Sequence, residues 1–360
     1  MSGKRLLSKN RRKAKASRHN KRHHPRPRPA PRPTPSPIDP HPVPVPVPVN
    51  LDVPVNPVDP IVPASNPVEP ETKSEEARVT CGAMFTAKGR RYYQEDRGVV
   101  DDAAGFYAVF DGHGGDKASR FCAKHMAEYV AAEMAGAANG GAVEALSDEA
   151  VERAFVAAFI ALDKKFQDKM VDDGSTACVA RVMRTGAGVR LHVANAGDSR
   201  CIVVCADGTA LAMSVDQKPH DPVERARIEA ANHEVEVIDE LVDGKRIKLS
   251  RVDGILAVAR AIGDHSLKDY GVPPEKTAVT CVPVVQHLAV DRAVHRFVVL
   301  ASDGVWDVFT NADAAQLVHS TLSGNATPTA AELERAAEAL VQGAIDRNSA
   351  DNCTAVVFAL

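Results

Sequence analysis

Eighteen of the 24 prolines in this 360-residue chain lie between Pro25 and Pro70, many at alternate positions, as in PRPRPAPRPTPSP and PVPVPVPV. Proline lacks the amide donor and bars the helical region to the residue before it, so such a stretch can form neither a helix nor an inner strand. It also carries too little apolar side-chain mass to offset its ordering entropy. The expectation is a disordered arm over 1–78, with polyproline-II character from about Pro25 to Pro70, joined to a folded body over 79–360.

Charge divides the chain at the same place. The arm holds 15 Lys and Arg against 7 Asp and Glu, a net of +8, and the body holds 29 against 40, a net of −11. Residues 4–32 contain 13 basic residues and no acid. This run reads as a solvated tail, as an import or acidic-partner signal in Lys9–Arg22, or as a docking arm for a partner enzyme, and composition leaves the three open. It has no folded nucleic-acid motif and no interleaved aromatics, which argues against sequence-specific reading of DNA or RNA. A body of this size can bury roughly 75% of the surface its unfolded chain exposes and needs no disulfide framework. The seven cysteines are scattered, with no CxxC pair, as expected of free thiols in a reducing compartment; Cys201 and Cys205 lie in an apolar run and are expected in the core. No apolar run reaches 18 residues and the first thirty residues lack a signal-peptide core, so no membrane association and a nuclear or cytoplasmic location are expected.

Within the body, apolar runs bounded by Gly, Asn or Asp predict strands at Phe106–Phe110, Thr176–Met183, Val189–Ala194, Cys201–Cys205, Arg296–Ala301 and Thr354–Ala359. Helical spacing predicts helices over Ala118–Ala135, Val143–Met170, Asp221–Ala231, Ala312–Thr321 and Ala330–Ile345. Strands in series with helices in pairs argue for antiparallel sheets with segregated helices.

Acids recur beside glycine or at strand ends in distant segments: Glu95-Asp96, Asp111-Gly112, Asp198, Asp264, Asp303-Gly304, Asp307 and Asp351-Asn352. Asp111 ends the run FYAVF, and Asp303 ends FVVLAS. An acid at the buried end of a strand is costly unless positive charge meets it. The body is acidic and places few basic residues beside these positions in sequence, so divalent cations are the expected counter-charge. An all-oxygen donor set selects Mg²⁺ or Mn²⁺ over zinc. Each acid taken alone also reads as a turn or cap residue, and spacing does not decide between the two.

RYYQED (91–96), VFDGHGG (109–115), GSTA (174–177), ANAGDSR (194–200), DQKPHDPVERARIEAA (216–231), ILAVARAIGD (255–264), LASDGVWDV (300–308) and SADNCTAVV (349–357) occur in this order. Over 79–360 the chain closely resembles the metal-dependent PPM protein phosphatases (type two C). The resemblance implies an α+β fold, a four-layer α-β-β-α sandwich of two antiparallel sheets flanked by helices. It implies that Asp111 bridges two Mg²⁺ or Mn²⁺ ions, that Gly112 offers its carbonyl to one, and that Asp303 and Asp351 ligate the second. Glu95 and Asp96 would act through metal-bound waters, and Asp198 and Asp307 match positions that hold a third, weaker ion. Arg91 matches the phosphate-binding arginine, a role Arg90 could share, and His113 the general acid. The implied activity is Mn/Mg-dependent hydrolysis of protein phosphoserine and phosphothreonine by a metal-bridged hydroxide, in signalling, with kinases an open class of substrate; a monomer is expected. The alternatives are a non-catalytic binding module of the same fold and a nuclear interaction protein driven by the basic arm. Two positions depart from the family pattern: Ala231-Asn232-His233 replaces a Gly-Gly turn, and Ala259 replaces a serine. Gly263–Val272, near the substrate-side flap, is expected to set selectivity, and Asp264 to support the site structurally.

Overall fold

The computed structural model describes residues 80–167, 172–242, 245–269, 271–322 and 327–360; the expected disordered arm lies outside them. The strands are β1 (Cys81–Ala87), β2 (Arg97–Asp101), β3 (Phe106–Phe110), β4 (Gly112–His113), β5 (Gly174–Ser175), β6 (Ala177–Thr185), β7 (Gly188–Ala196), β8 (Arg200–Cys205), β9 (Ala210–Ala212), β10 (Val235–Val242), β11 (Lys245–Val252), β12 (Ile262–Gly263), β13 (Val284–Ala289), β14 (His295–Ala301) and β15 (Cys353–Ala359). The α-helices are α1 (Lys117–Ala138), α2 (Asp148–Gln167), α3 (Pro222–Ala230), α4 (Asp303–Trp306), α5 (Asn311–Leu322) and α6 (Ala330–Asp346). No helix among the described residues is long and apolar enough to cross a membrane.

Side chains alternate across a strand, and here both faces of the central strands are covered. Tyr107 and Val109 of β3 point into the seam between the two five-stranded sheets, with Val298, Leu300, Val356 and Phe358 opposite. Phe106, Ala108 and Phe110 point outward onto Met126 and Phe155 of α1 and α2. The same alternation in β14 and β15 sends Val299, Ala355 and Val357 onto α5 and α6. This double burial is why FYAVF is apolar throughout, and it yields the expected layer order of helix pair, sheet, sheet, helix pair. Tyr107 stacks on Phe358 at 3.8 Å between ring centroids and 11° between planes, tying the sheets together; such a pair contributes about 1 kcal/mol beyond its buried area.

The sheet orders are β1-β15-β14-β8-β9 and β13-β7-β6-β3-β2, all neighbours antiparallel. A small third sheet, β12-β5-β4, lays Ile262-Gly263, Gly174-Ser175 and Gly112-His113 side by side. Beside it, α3 packs Ile228 against Val252, Ala259, Leu267 and Val279 in a separate apolar cluster.

Several boundaries differ from the sequence expectation. The helix expected from Val143 begins at Asp148, because Val143–Ala145 closes as a single 3₁₀ turn. The Ser147 hydroxyl accepts the Ala150 amide at 3.3 Å, and Asp148 and Glu149 occupy the first turn, where the helix dipole favours acids. The expected end of that helix at Met170 lies outside the described residues. Cys201 is buried but Cys205 is only half-buried, at the end of β8. Periodicity gives no strand for β1, β2, β13 or the β10–β11 hairpin, whose residues are mixed in polarity; β1 and β13 pair with distant strands, and β2 and the hairpin with their neighbours in sequence.

Candidate active site

Strand ends from both sheets meet at one edge. Asp111 follows β3, Asp198 sits in the turn between β7 and β8, Asp303 follows β14 and opens α4, and Asp351 immediately precedes Asn352 and β15. One carboxylate oxygen from each of Asp111, Asp198 and Asp303 lies within 4.8 Å of the others. With Asp351, Arg91 and His113 they line a cleft of about 440 Å³. Gly112 lines it too. A side chain on Gly112 would stand 2.6 Å from the Glu95 carbonyl and 2.8 Å from the Ser119 hydroxyl, so the approach of β4 to the Glu95 loop itself requires glycine.

The remaining expected site residues lie outside the cleft wall. Asp96 is buried behind it, accepting a hydrogen bond from the Ser302 hydroxyl at 2.8 Å. Glu95 borders a neighbouring groove. Asp307 is exposed at the end of α4, where its amide donates to the Asp303 carbonyl at 2.8 Å. Arg90 donates to the Asn348 side chain at 2.6 Å and does not line the cleft, whereas Arg91 does.

This concentration of acids is electrostatically poor by itself. Burial, then the charges of Asp96, Asp303, Asp198 and Asp351, hold the Asp111 carboxyl well above its ordinary value. Burial, then Asp198, Asp307 and Asp351, does the same to Asp303. Burial raises Asp96 to about 6, although the Ser302 hydroxyl works against the shift. Buried Oδ1 atoms of Asp96 and Asp303 have no hydrogen-bond partner among the described residues. Orphaned buried oxygens, suppressed ionisation and an all-oxygen donor set are what a hard divalent cation would satisfy, so the residues fit such a group.

The sequence model of protein phosphatase 2C matches residues 84–353, three quarters of the chain and all of these segments. The chain belongs to the protein phosphatase 2C family. It is 33% identical over 268 residues to protein phosphatase 2C homolog 2 of Saccharomyces cerevisiae, covering 71% of this chain and 53% of that protein. It is 35% identical over 280 residues to probable protein phosphatase 2C 59 of Oryza sativa subsp. japonica, covering 76% and 73%. Among solved structures, a phosphatase from Toxoplasma gondii superposes with a TM-score of 0.64 at 26% identity, covering 79% of this chain and 93% of that one. The chain thus spans about half of the yeast relative.

Three contacts of this protein phosphatase 2C domain go beyond the sequence reading, which gave Asp264 as structural support without a partner. Lys218 reaches the Asp198 carboxylate and also faces Asp303 and Asp307. The site therefore has a resident cation, contrary to the expectation drawn from sequence neighbours alone. Asp264 bonds His113 Nε2 at 2.8 and 2.9 Å through its two oxygens. The pair crosses Gly174, where any side chain would collide with both partners, so a glycine on β5 is required. Asn352 staples the loop that carries Arg91: its side-chain amide donates to the carbonyls of Lys88 at 2.8 Å and Tyr93 at 2.9 Å, and its oxygen accepts the Glu95 amide at 2.8 Å. The only trace of these roles in the sequence is their place inside the DQKP, AIGD and ADN segments.

Asn352→Ala removes all three bonds and leaves three backbone groups unpaired. We expect it to lower stability by about 2–3 kcal/mol, read as a shift in the urea midpoint at constant m-value. An unchanged midpoint would show that water replaces the staple.

Proposed function

We propose that this chain is a divalent-cation-dependent protein serine/threonine phosphatase. The observation that carries the reading is the convergence of Asp111, Asp198 and Asp303, from three distant segments, at the mouth of a cleft that also holds Arg91 and His113. In this reading Asp111, the Gly112 carbonyl, Asp303 and Asp351 would hold two Mg²⁺ or Mn²⁺ ions, Glu95 and Asp96 would support them from behind, and Asp198 and Asp307 would take a third. Bound there, divalent ions supply positive charge against a phosphoryl dianion and acidify water.

The chain's own residues supply the rest. Arg91 bonds Asp351 and donates to the Ala350 carbonyl at 3.3 Å, which holds its guanidinium at the cleft. Its planar fork suits two phosphoryl oxygens, and orientation matters because positioning and charge stabilisation dominate phosphoryl transfer. Burial works against a charged imidazole at His113, but the adjoining Asp264 carboxylate outweighs it and lifts the histidine above its ordinary pKa. A larger protonated fraction at neutral pH suits a donor to the departing serine or threonine oxygen. The substrates in this reading are phosphoserine and phosphothreonine proteins, with kinases one candidate class.

The test is hydrolysis of a phosphothreonine peptide by the purified full chain. Turnover is expected with Mn²⁺ or Mg²⁺ and not with EDTA; no turnover at any Mn²⁺ concentration would overturn the reading. Arg91→Ala is expected to lower kcat/KM about 100-fold, the scale of two charge-assisted hydrogen bonds. A loss below threefold would remove Arg91 from phosphate binding.

A further inference from the structure

Tyr92 and Tyr93 are 91% and 77% exposed, the largest exposures of any large apolar side chain among the described residues. They follow Arg91 directly and sit on the loop that Asn352 fixes, so the two rings are held out in water by a pinned backbone. Paired exposed aromatics on a rigid loop are a usual mark of a recognition surface. They form one side of a groove of about 780 Å³ whose other side includes Asp116 and Arg120 at the start of α1. Gly114 lines both this groove and the catalytic cleft, so the two adjoin at that residue.

The exposed guanidinium of Arg120 bears on what the groove can hold. Arg97 and Arg120 both bond the same oxygen of Asp116, at 2.8 and 2.6 Å, so two guanidinium groups share one carboxylate. The groove's charged lining is Arg97 and Arg120 against Glu95 and Asp116, balanced in sign, with Asp116 already engaged by both arginines. The Arg120 side chain is 65% exposed and available to a further carboxylate.

We infer that the Tyr92–Tyr93–Arg120 groove receives the polypeptide flanking the phosphorylated residue and favours substrates with acidic residues in that flank. The tyrosine rings cover the aliphatic parts of the bound chain while Arg120 pairs with its carboxylate. This assignment rests on the phosphatase reading above, and two substrates of different size separate the fates of the two. Para-nitrophenyl phosphate reports the phosphate site alone, and phosphothreonine peptides flanked by Glu, Ala or Lys report the groove.

In the full-length wild type with Mn²⁺, kcat/KM for the Glu-flanked peptide is expected about fivefold above that for the Lys-flanked one. The double variant Tyr92→Ala/Tyr93→Ala is expected to lower the peptide-to-nitrophenyl-phosphate ratio of kcat/KM about tenfold, mainly through KM. Arg120→Glu is expected to reverse the order of the Glu and Lys peptides. Equal rates for the three peptides in the wild type, or variants whose peptide and small-substrate rates change in parallel, would overturn the groove assignment and leave the phosphatase reading standing. A wild type that hydrolyses neither substrate would overturn both.

Discussion

Asp303→Asn is expected to cost about 10³-fold in divalent-dependent turnover and, at the same time, to raise the melting temperature of the metal-free protein. The two effects have one origin. Asp303 lies at the end of an apolar strand within 4.8 Å of carboxylate oxygens of Asp111 and Asp198, and its Oδ1 has no partner among the described residues. Burial and the neighbouring acids oppose its ionisation, so a neutral amide relieves repulsion in the metal-free fold. In the proposed reading Asp303 would hold ions that supply several kcal/mol of charge stabilisation, and the loss of that support gives the predicted drop in rate.

The pH dependence has a definite sign. A carboxyl raised in the folded state binds its proton more tightly there than in the unfolded chain, so stability grows as pH falls through the folded value. For Asp96 that window runs from about 6 down to the ordinary 3.8. The metal-free wild type should therefore melt at a higher temperature at pH 5 than at pH 7, with a weaker dependence in Asp303→Asn. Thermal melts in EDTA, beside Mn²⁺ titrations of activity, measure both effects. A metal-free variant that melts below the wild type at pH 7 would contradict the repulsion account.

Asp163→Asn carries the largest expected loss of stability. Asp163 of α2 is 8% exposed and accepts from the Gly263 amide at 2.7 Å and from Lys268 Nζ at 2.7 Å. Burial opposes its charge, but Lys268 and His265 outweigh that and depress the carboxyl to about 2. The amide leaves the buried Lys268 charge without its counter-ion, a change that costs about 3–5 kcal/mol. Measured as ΔG of unfolding in urea, the difference from wild type should be constant between pH 5 and 7. A depressed carboxyl contributes above its unfolded value of 3.8 and loses that contribution as pH falls through the folded value. About 2 kcal/mol of the difference should thus disappear between pH 4 and 2. Because Gly263 leads into Asp264 and hence to His113, kcat should fall as well. A pH-independent difference would show that Asp163 acts by shape alone.

What was legible in the sequence follows from locality. FYAVF and the β14 run announce themselves because both their faces are buried, and the acids that end them stand out against that apolarity. The sequence also supports Arg91 over Arg90, and the structure places Arg91 at the cleft. The mixed strands β1 and β2 carry no comparable local pattern: β1 is held by β15, far along the chain, and β2 is an edge strand held by its neighbour β3. The contacts of Lys218, Asp264 and Asn352 are illegible for the same reason as β1. Each is a polar side chain whose partner, at Asp198, His113 or the Lys88–Glu95 loop, is set by tertiary approach and not by spacing. Asp307 and Glu95 show the converse: motif position marks them, yet neither lines the cleft.

The first described strand, β1, is hydrogen-bonded along its whole length to β15, with Cys81 opposite Ala359 and Ala87 opposite Cys353. The Arg91 loop is fastened to Asp351 and Asn352, just before that same strand. During synthesis, neither this sheet nor the Arg91 loop can settle until β15 has left the ribosome. Closing so long a span is slow, which leaves one edge of β14 without its partner until β15 arrives.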